Sequence, residues 1–353
     1  MDLDNLELFR KLDPKNMLGQ IDNLPNQLES AWAMGQRLSL PAWKGIRQVL
    51  IAGMGGSAIG ADLLAAYIAP HCPVPVIVLR DYDLPAWASG PHTLVIANSH
   101  SGNTEETLSA FSQALENNCL SMALTTGGKL QAQANQAGAP VWQFEHDSQP
   151  RAAIGFSFGL LLAALSRLDL VPNLDPELQS ALQAMRAQQA QIKADITVVQ
   201  NPAKRVAGQL MGRWVAVFGA GILEPVARRF KGQLSELAKA WAQYESLPEA
   251  DHNSLAGILN PEELFPKTMM VFLQATSNHP RNQLRSDLTR KIFMLEGLNT
   301  DTIHAAGETP LANQWTALHF CDYAAFYLAM AYGVDPDPVA MIETLKAEMK
   351  SAG

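Results

Sequence analysis

Val95-Ile96-Ala97-Asn98-Ser99-His100-Ser101-Gly102-Asn103-Thr104-Glu105-Glu106-Thr107-Leu108 joins an apolar strand to a helix through a turn crowded with hydroxyls. Ser99, Ser101 and Thr104, with a glycine that permits positive φ, stand where a new helix leaves its first amide groups unpaired. That is the arrangement an anionic oxygen cluster wants. It predicts a small phosphorylated ligand. An ordinary Ser/Thr cap, with Glu105 and Glu106 suiting the helix dipole, accounts for the same residues.

A second stretch of the same kind lies upstream. Val49-Leu50-Ile51-Ala52 is a fully apolar strand, Gly53-Met54-Gly55-Gly56-Ser57 a tight turn, and the chain through Ile68 an amphipathic helix. The glycines do not satisfy GxGxxG followed by an acidic residue at the end of the next strand, so a dinucleotide site is not indicated. Further apolar runs at 74–79, 93–97, 121–125 and 141–144 alternate with helix-like segments. This rhythm predicts a parallel sheet with helices on both faces, and it puts both turns at the carboxyl edge where such sheets collect ligands.

Outward from this unit, residues 1–48 carry apolar positions at helical spacing, broken by Pro14 and Pro25, and read as a helical lead-in. The apolar stretch at 153–170 is too short to span a membrane and reads as a buried or interface helix. An Ala- and Gln-rich helix follows, and the domain junction is placed there. At Trp214-Val215-Ala216-Val217-Phe218 the opening theme returns, with Gly219-Ala220-Gly221 as the turn and a helix from Pro225 that contains Glu236. Further strands are predicted at 269–273 and 292–295, and closing helices at 311–331 and 338–350. The fold class expected is α/β, as two doubly wound parallel-sheet domains with flanking helices. Residues 49–170 form the first, 171–205 a helical connector, and 206–353 the second.

Composition narrows the function. Among 353 residues, 48% are hydrophobic and 17% charged, and 26 basic against 34 acidic side chains leave a net charge of -8. No basic face is evident, so nucleic acid is not an expected partner. Cys72, Cys119 and Cys321 are far apart and lack metal-ligand or CxxC spacing, which predicts core thiols in a reducing compartment. The start Met1-Asp2-Leu3-Asp4 has no basic n-region, and no run of about 18 apolar residues occurs, so no membrane association and a cytoplasmic location are expected.

Four positions carry possible chemistry. Arg151 follows Pro150 at a loop edge, where a plain salt bridge would also explain it. Glu236 lies in a helix of apolar and small residues, where a solvated glutamate is the common case. His252, in Asp251-His252-Asn253, has the right intrinsic pKa for proton traffic, although Asp and Asn also form capping clusters. Lys346 sits on the last helix, where a cation suits the dipole. No histidine cluster has metal-ligand spacing, so no metal and no other cofactor is expected.

Taken together and in this order, Gly53-Met54-Gly55-Gly56-Ser57, the 99–107 motif, Pro150-Arg151-Ala152, Glu236 and Asp251-His252-Asn253 resemble the bifunctional phosphoglucose/phosphomannose isomerases, built from two SIS (sugar isomerase) domains. The resemblance runs from about Val49 to Lys346. It implies that Gly55, Gly56, Ser57, Ser99, Ser101 and Thr104 hold a sugar and its 6-phosphate. Arg151 would face the C1/C2 end, Glu236 would be the base, and His252 and Lys346 would help open the ring. In this family the histidine typically comes from the neighbouring subunit, which implies a homodimer. Converting an aldose to a ketose moves a proton between adjacent carbons through an enediolate, which suits one carboxylate and one fixed guanidinium. His100 stands where the family often has an aromatic or small residue, and Asp337 where it often has Thr. Glucose 6-phosphate is therefore implied more strongly than mannose 6-phosphate. A sugar-phosphate-binding SIS regulator and an isomerase of another sugar phosphate share the same loops, but no helix-turn-helix appendage with a basic face accompanies them.

Overall fold

The computed structural model describes residues 2–352. Helices α1 (Leu6–Leu12), α2 (Met17–Asp22) and α3 (Leu24–Gly35) come first. The chain then runs through β1 (Gln48–Ala52), α4 (Gly55–Ile68), β2 (Val76–Leu79), β3 (Thr93–Asn98), α5 (Glu105–Glu116), β4 (Leu120–Thr125), α6 (Gly128–Gln136) and β5 (Val141–Gln143). These strands pair in parallel in the order β2-β1-β3-β4-β5. Val49, Leu50, Ile51, Leu94, Val95 and Ile96 are all fully buried, as strands covered on both faces must be.

Helices α7 (Ile154–Arg167), α8 (Asp175–Ile192) and α9 (Pro202–Leu210) lead into β6 (Trp214–Ala220), α10 (Glu224–Glu236), β7 (Ala242–Leu247), β8 (Thr268–Gln274), α11 (Pro280–Leu295) and β9 (Thr300–His304). This second parallel sheet has the order β7-β6-β8-β9. It repeats the order β2-β1-β3-β4 of the first sheet and, among the described residues, has no counterpart of β5. Helices α12 (Pro310–Tyr332) and α13 (Ala340–Ala352) close the chain.

The two-sheet α/β architecture expected from the sequence is present. One expected element is corrected: residues 292–295 are the last turn of α11, and the strand lies further on, in β9. The apolar run there follows helical spacing, and only Phe293 of its four residues is buried. Strand β7 was not anticipated, because its interior positions are only half-buried. Pro75 delays the start of β2 to Val76.

The two sheets are joined by helices. Glycines on α7 let α3 approach closely: a Cβ at Gly159 would stand 2.7 Å from the Cβ of Ala31. Almost every residue of α12 is buried, and it packs against α4, α8, α9 and α10. One hydrophobic core, beside three smaller clusters, therefore extends from Leu3 to Ala331 and takes in Val49 and Ile51 of the first sheet with Val215 and Val217 of the second. Phe158 of α7 is fully buried, with Trp315 of α12 edge-on at 5.0 Å and Tyr67 of α4 at 6.3 Å. Phe158→Ala is expected to destabilise the protein by about 3–5 kcal/mol, read as a lower urea midpoint. A midpoint unchanged from wild type would mean that this junction carries no such load.

Candidate active site

In the first sheet the strand order reverses between β1 and β3, and ligands of open α/β sheets bind outside the carboxyl ends at such a point. The turns after those two strands, 53–57 and 99–104, lie there side by side. Ser57 Oγ accepts from the His100 N–H at 3.2 Å, and Asn98 Nδ2 donates to the Ser57 carbonyl at 3.0 Å. Ser99 Oγ lies 2.9 Å from Thr104 Oγ1 and accepts from the Gly102 N–H at 3.2 Å. Neither α4 nor α5 has its N-terminus capped by a side-chain hydrogen bond, so their first amide groups and dipoles face this edge.

Two glycines are required by this geometry. Gly102 has φ 63°, and a Cβ there would fall 1.8 Å from the Gly127 carbonyl oxygen. A Cβ on Gly56 would fall 2.6 Å from the carbonyl oxygen of Pro150, so the bare backbone admits the short 3-10 turn Pro150–Ala152. That turn brings in Arg151.

Arg151 is buried. Its Nη1 donates to Glu236 Oε2 at 3.3 Å, and its Nη2 to the carbonyls of Pro336, at 2.8 Å, and Asp337. Burial pulls the guanidinium below its usual pKa while Glu236 and Asp337 oppose that pull, and the group stays cationic. A cavity of about 280 Å³ opens beside this pair, lined by Gly55, Gly56, Arg80, Arg151, Arg228 and Glu236 among others. A larger groove, about 900 Å³, lies away from these residues between α8, α9 and β9.

Four further residues, not singled out in the sequence, build the surroundings. Arg229 clasps Asp322 of α12 with two hydrogen bonds, Nε to Oδ1 at 3.0 Å and Nη2 to Oδ2 at 2.6 Å, and donates to the Arg151 carbonyl at 3.1 Å. Gln233 donates to the same carboxylate at 3.1 Å. Asp322 is fully enclosed, and burial raises its carboxyl above the usual value although Arg229 pulls it down. Asp322 is the one Asp, Glu, Lys or Arg of the 23-residue helix α12, and that was the available signal. Lys239 follows α10 with φ 55°, a left-handed conformation that costs an L-residue about 1–2 kcal/mol. Its Nζ donates to the Glu236 carbonyl at 2.7 Å.

One chain thus brings Gly55, Gly56, Arg151 and Glu236 to one cavity, with Ser57, Ser99, Ser101 and Thr104 on the adjoining turns. It does not bring His252 or Lys346 there. His252 is exposed in the turn Glu249–His252 after β7, at the carboxyl edge of the second sheet. Glu236 ends α10, which has run back about 20 Å toward the opposite edge. Asp251 pins the histidine turn to α11, accepting from Arg285 at 3.1 Å and Thr289 at 2.7 Å. Lys346 is exposed on α13, whose residues 340–351 are all exposed.

Comparison with known proteins places this geometry. Residues 199–349 match the model of the bacterial phospho-glucose isomerase C-terminal SIS domain. A bifunctional phosphoglucose/phosphomannose isomerase from Caldicellulosiruptor bescii is 36% identical over 337 residues, 94% of this chain and 98% of that protein. The chain belongs to the bifunctional phosphoglucose/phosphomannose isomerase family. A second phosphoglucose/phosphomannose isomerase, from Aquifex aeolicus, is 31% identical over 88% of this chain and 92% of its own. The fold is shared with a hypothetical protein of Thermus thermophilus, with TM-score 0.74 and 17% identity over 98% of this chain and 94% of that one.

The motif of this phosphoglucose/phosphomannose isomerase family member also carries a histidine with a structural tie. His100 Nε2 lies 2.9 Å from His146 Nδ1, and the two rings meet edge to face. Burial, with His146 adding to it, lowers His100 to a pKa of about 4, and burial lowers His319 to about 4 as well. An unfolded histidine binds its proton near pH 6.5, so these groups favour the folded state above that pH and lose this contribution as pH falls toward 4. Stability is expected to decline across that window, and His100→Phe should flatten part of the decline in urea midpoints measured against pH. An identical slope in the variant would remove His100 as a contributor.

Proposed function

We propose that this protein interconverts glucose 6-phosphate and fructose 6-phosphate, and accepts mannose 6-phosphate as well, by proton transfer through an enediolate. The observation that carries this reading is the Arg151–Glu236 pair beside two uncapped helix N-termini on one sheet edge. The hydroxyls of Ser57, Ser99, Ser101 and Thr104 and the backbone at Gly55 and Gly56 would hold the sugar and its phosphate. Glu236 would take the C2 proton of the open-chain aldose and return it to C1. Arg151 would offset the negative charge that develops on the enediolate oxygens, with no proton of its own to lose. That route calls for no metal or redox chemistry.

Ring opening requires an acid near the ring oxygen, and His252 and Lys346 are the groups proposed for it. Because His252 is remote from Glu236 in its own chain, the reading includes a homodimer in which a second copy supplies the histidine. A cytoplasmic enzyme free of membrane and nucleic acid is part of the same reading. The net charge of -8 accords with it, and among the described residues no helix is long and apolar enough to cross a membrane.

Purified protein offered a panel of hexose and pentose phosphates is expected to turn over glucose, mannose and fructose 6-phosphates. Glu236→Gln should lower kcat by about 10²–10⁴-fold while ligand affinity changes little. Binding of hexose phosphates without turnover would favour a regulator instead. Mixing inactive Glu236→Gln and His252→Gln proteins under subunit exchange should restore about a quarter of wild-type activity, since half of the dimers then carry one intact site. No restoration would remove the shared-site arrangement.

A further inference from the structure

Lys239 stands where a helix end calls for glycine. The Ala240 N–H reaches back to the Leu234 carbonyl at 3.1 Å just past the end of α10, and residue 239 makes that turn with a left-handed φ of 55°, which glycine adopts without strain. A side chain at this position strains the backbone, and strained residues of this kind persist where the surroundings hold them for a purpose. The lysine ammonium folds back 2.7 Å from the carbonyl oxygen of Glu236, the residue whose carboxylate meets Arg151. Arg151, Glu236, Asp335 and Asp337 are the charged groups that act on it.

We propose that Lys239 is a positioning residue for Glu236. Its ammonium fixes the last turn of α10, so that the Glu236 carboxylate stays aimed at Arg151 and the cavity. The inference rests on the isomerase reading above. Two observations support a role beyond helix capping. Glycine would close the same turn without strain, and the lysine's partner is the carbonyl of the proposed base itself. Burial and Arg151 draw the ammonium's pKa below the usual lysine value, while the three carboxylates act the other way.

The test separates position from stability, because Lys239→Gly relieves the backbone while removing the ammonium. The Gly variant should melt at the wild-type temperature or above it. Its kcat should fall about tenfold or more with KM within about twofold. Lys239→Arg, which keeps the charge, should recover most of kcat. A Gly variant with wild-type kcat would overturn the proposal. So would one that melts lower and loses a kcat that Lys239→Arg does not recover. A wild-type protein inactive on every hexose phosphate would take the isomerase reading down and this role with it, whereas an active wild type with an indifferent Gly variant removes Lys239 alone.

Discussion

A guanidinium taken out of water must be surrounded by acceptors, and in this molecule the acceptors for Arg151 come from distant parts of the chain. The arginine belongs to a turn after the first sheet, Glu236 ends the first helix of the second half, and the carbonyls of Pro336 and Asp337 follow the long buried helix α12. An unpaired buried charge would cost several kcal/mol, so these segments are obliged to meet. Behind them the enclosed Arg229–Asp322 pair fixes the carbonyl of Arg151 itself. The cavity is bounded by this set of paired side chains, with Arg151, Arg229, Gln233 and Glu236 among its lining.

The first half was legible because its signals are local. An all-apolar strand, a glycine turn and an amphipathic helix each announce themselves within a few residues, and Gly56 and Gly102 stand where a Cβ would collide with backbone. The second half was read less well for a physical reason. Strands β7 and β9 are only partly buried, so their polar positions masked the extended pattern, while the apolar run at 292–295 belongs to a helix with Leu295 largely exposed. Repetition of one strand order in both sheets explains why the returning theme at Trp214 could be recognised despite this.

The candidate site divides in the same way. Hydroxyls and glycines of the two turns are close in sequence and could be picked out from it, and the turns do adjoin, as Arg151 and Glu236 do meet. Asp322 and Lys239 were missed, because the first gains its meaning only from Arg229 across a helix interface and the second only from an unusual backbone angle. Glu236 and His252 are separated by an intervening strand, which sends them to opposite edges of the same sheet.

The continuous core has a consequence for how a ligand arrives. With α12 sheathed on nearly every side and Phe158 lodged between helices of both halves, one face of each sheet packs into the same hydrophobic core. A clam-like opening would expose that interior to water. Any route to the cavity that leaves this core intact passes its rim, where Arg80 and Arg228, both paired with Asp62, stand among the lining side chains.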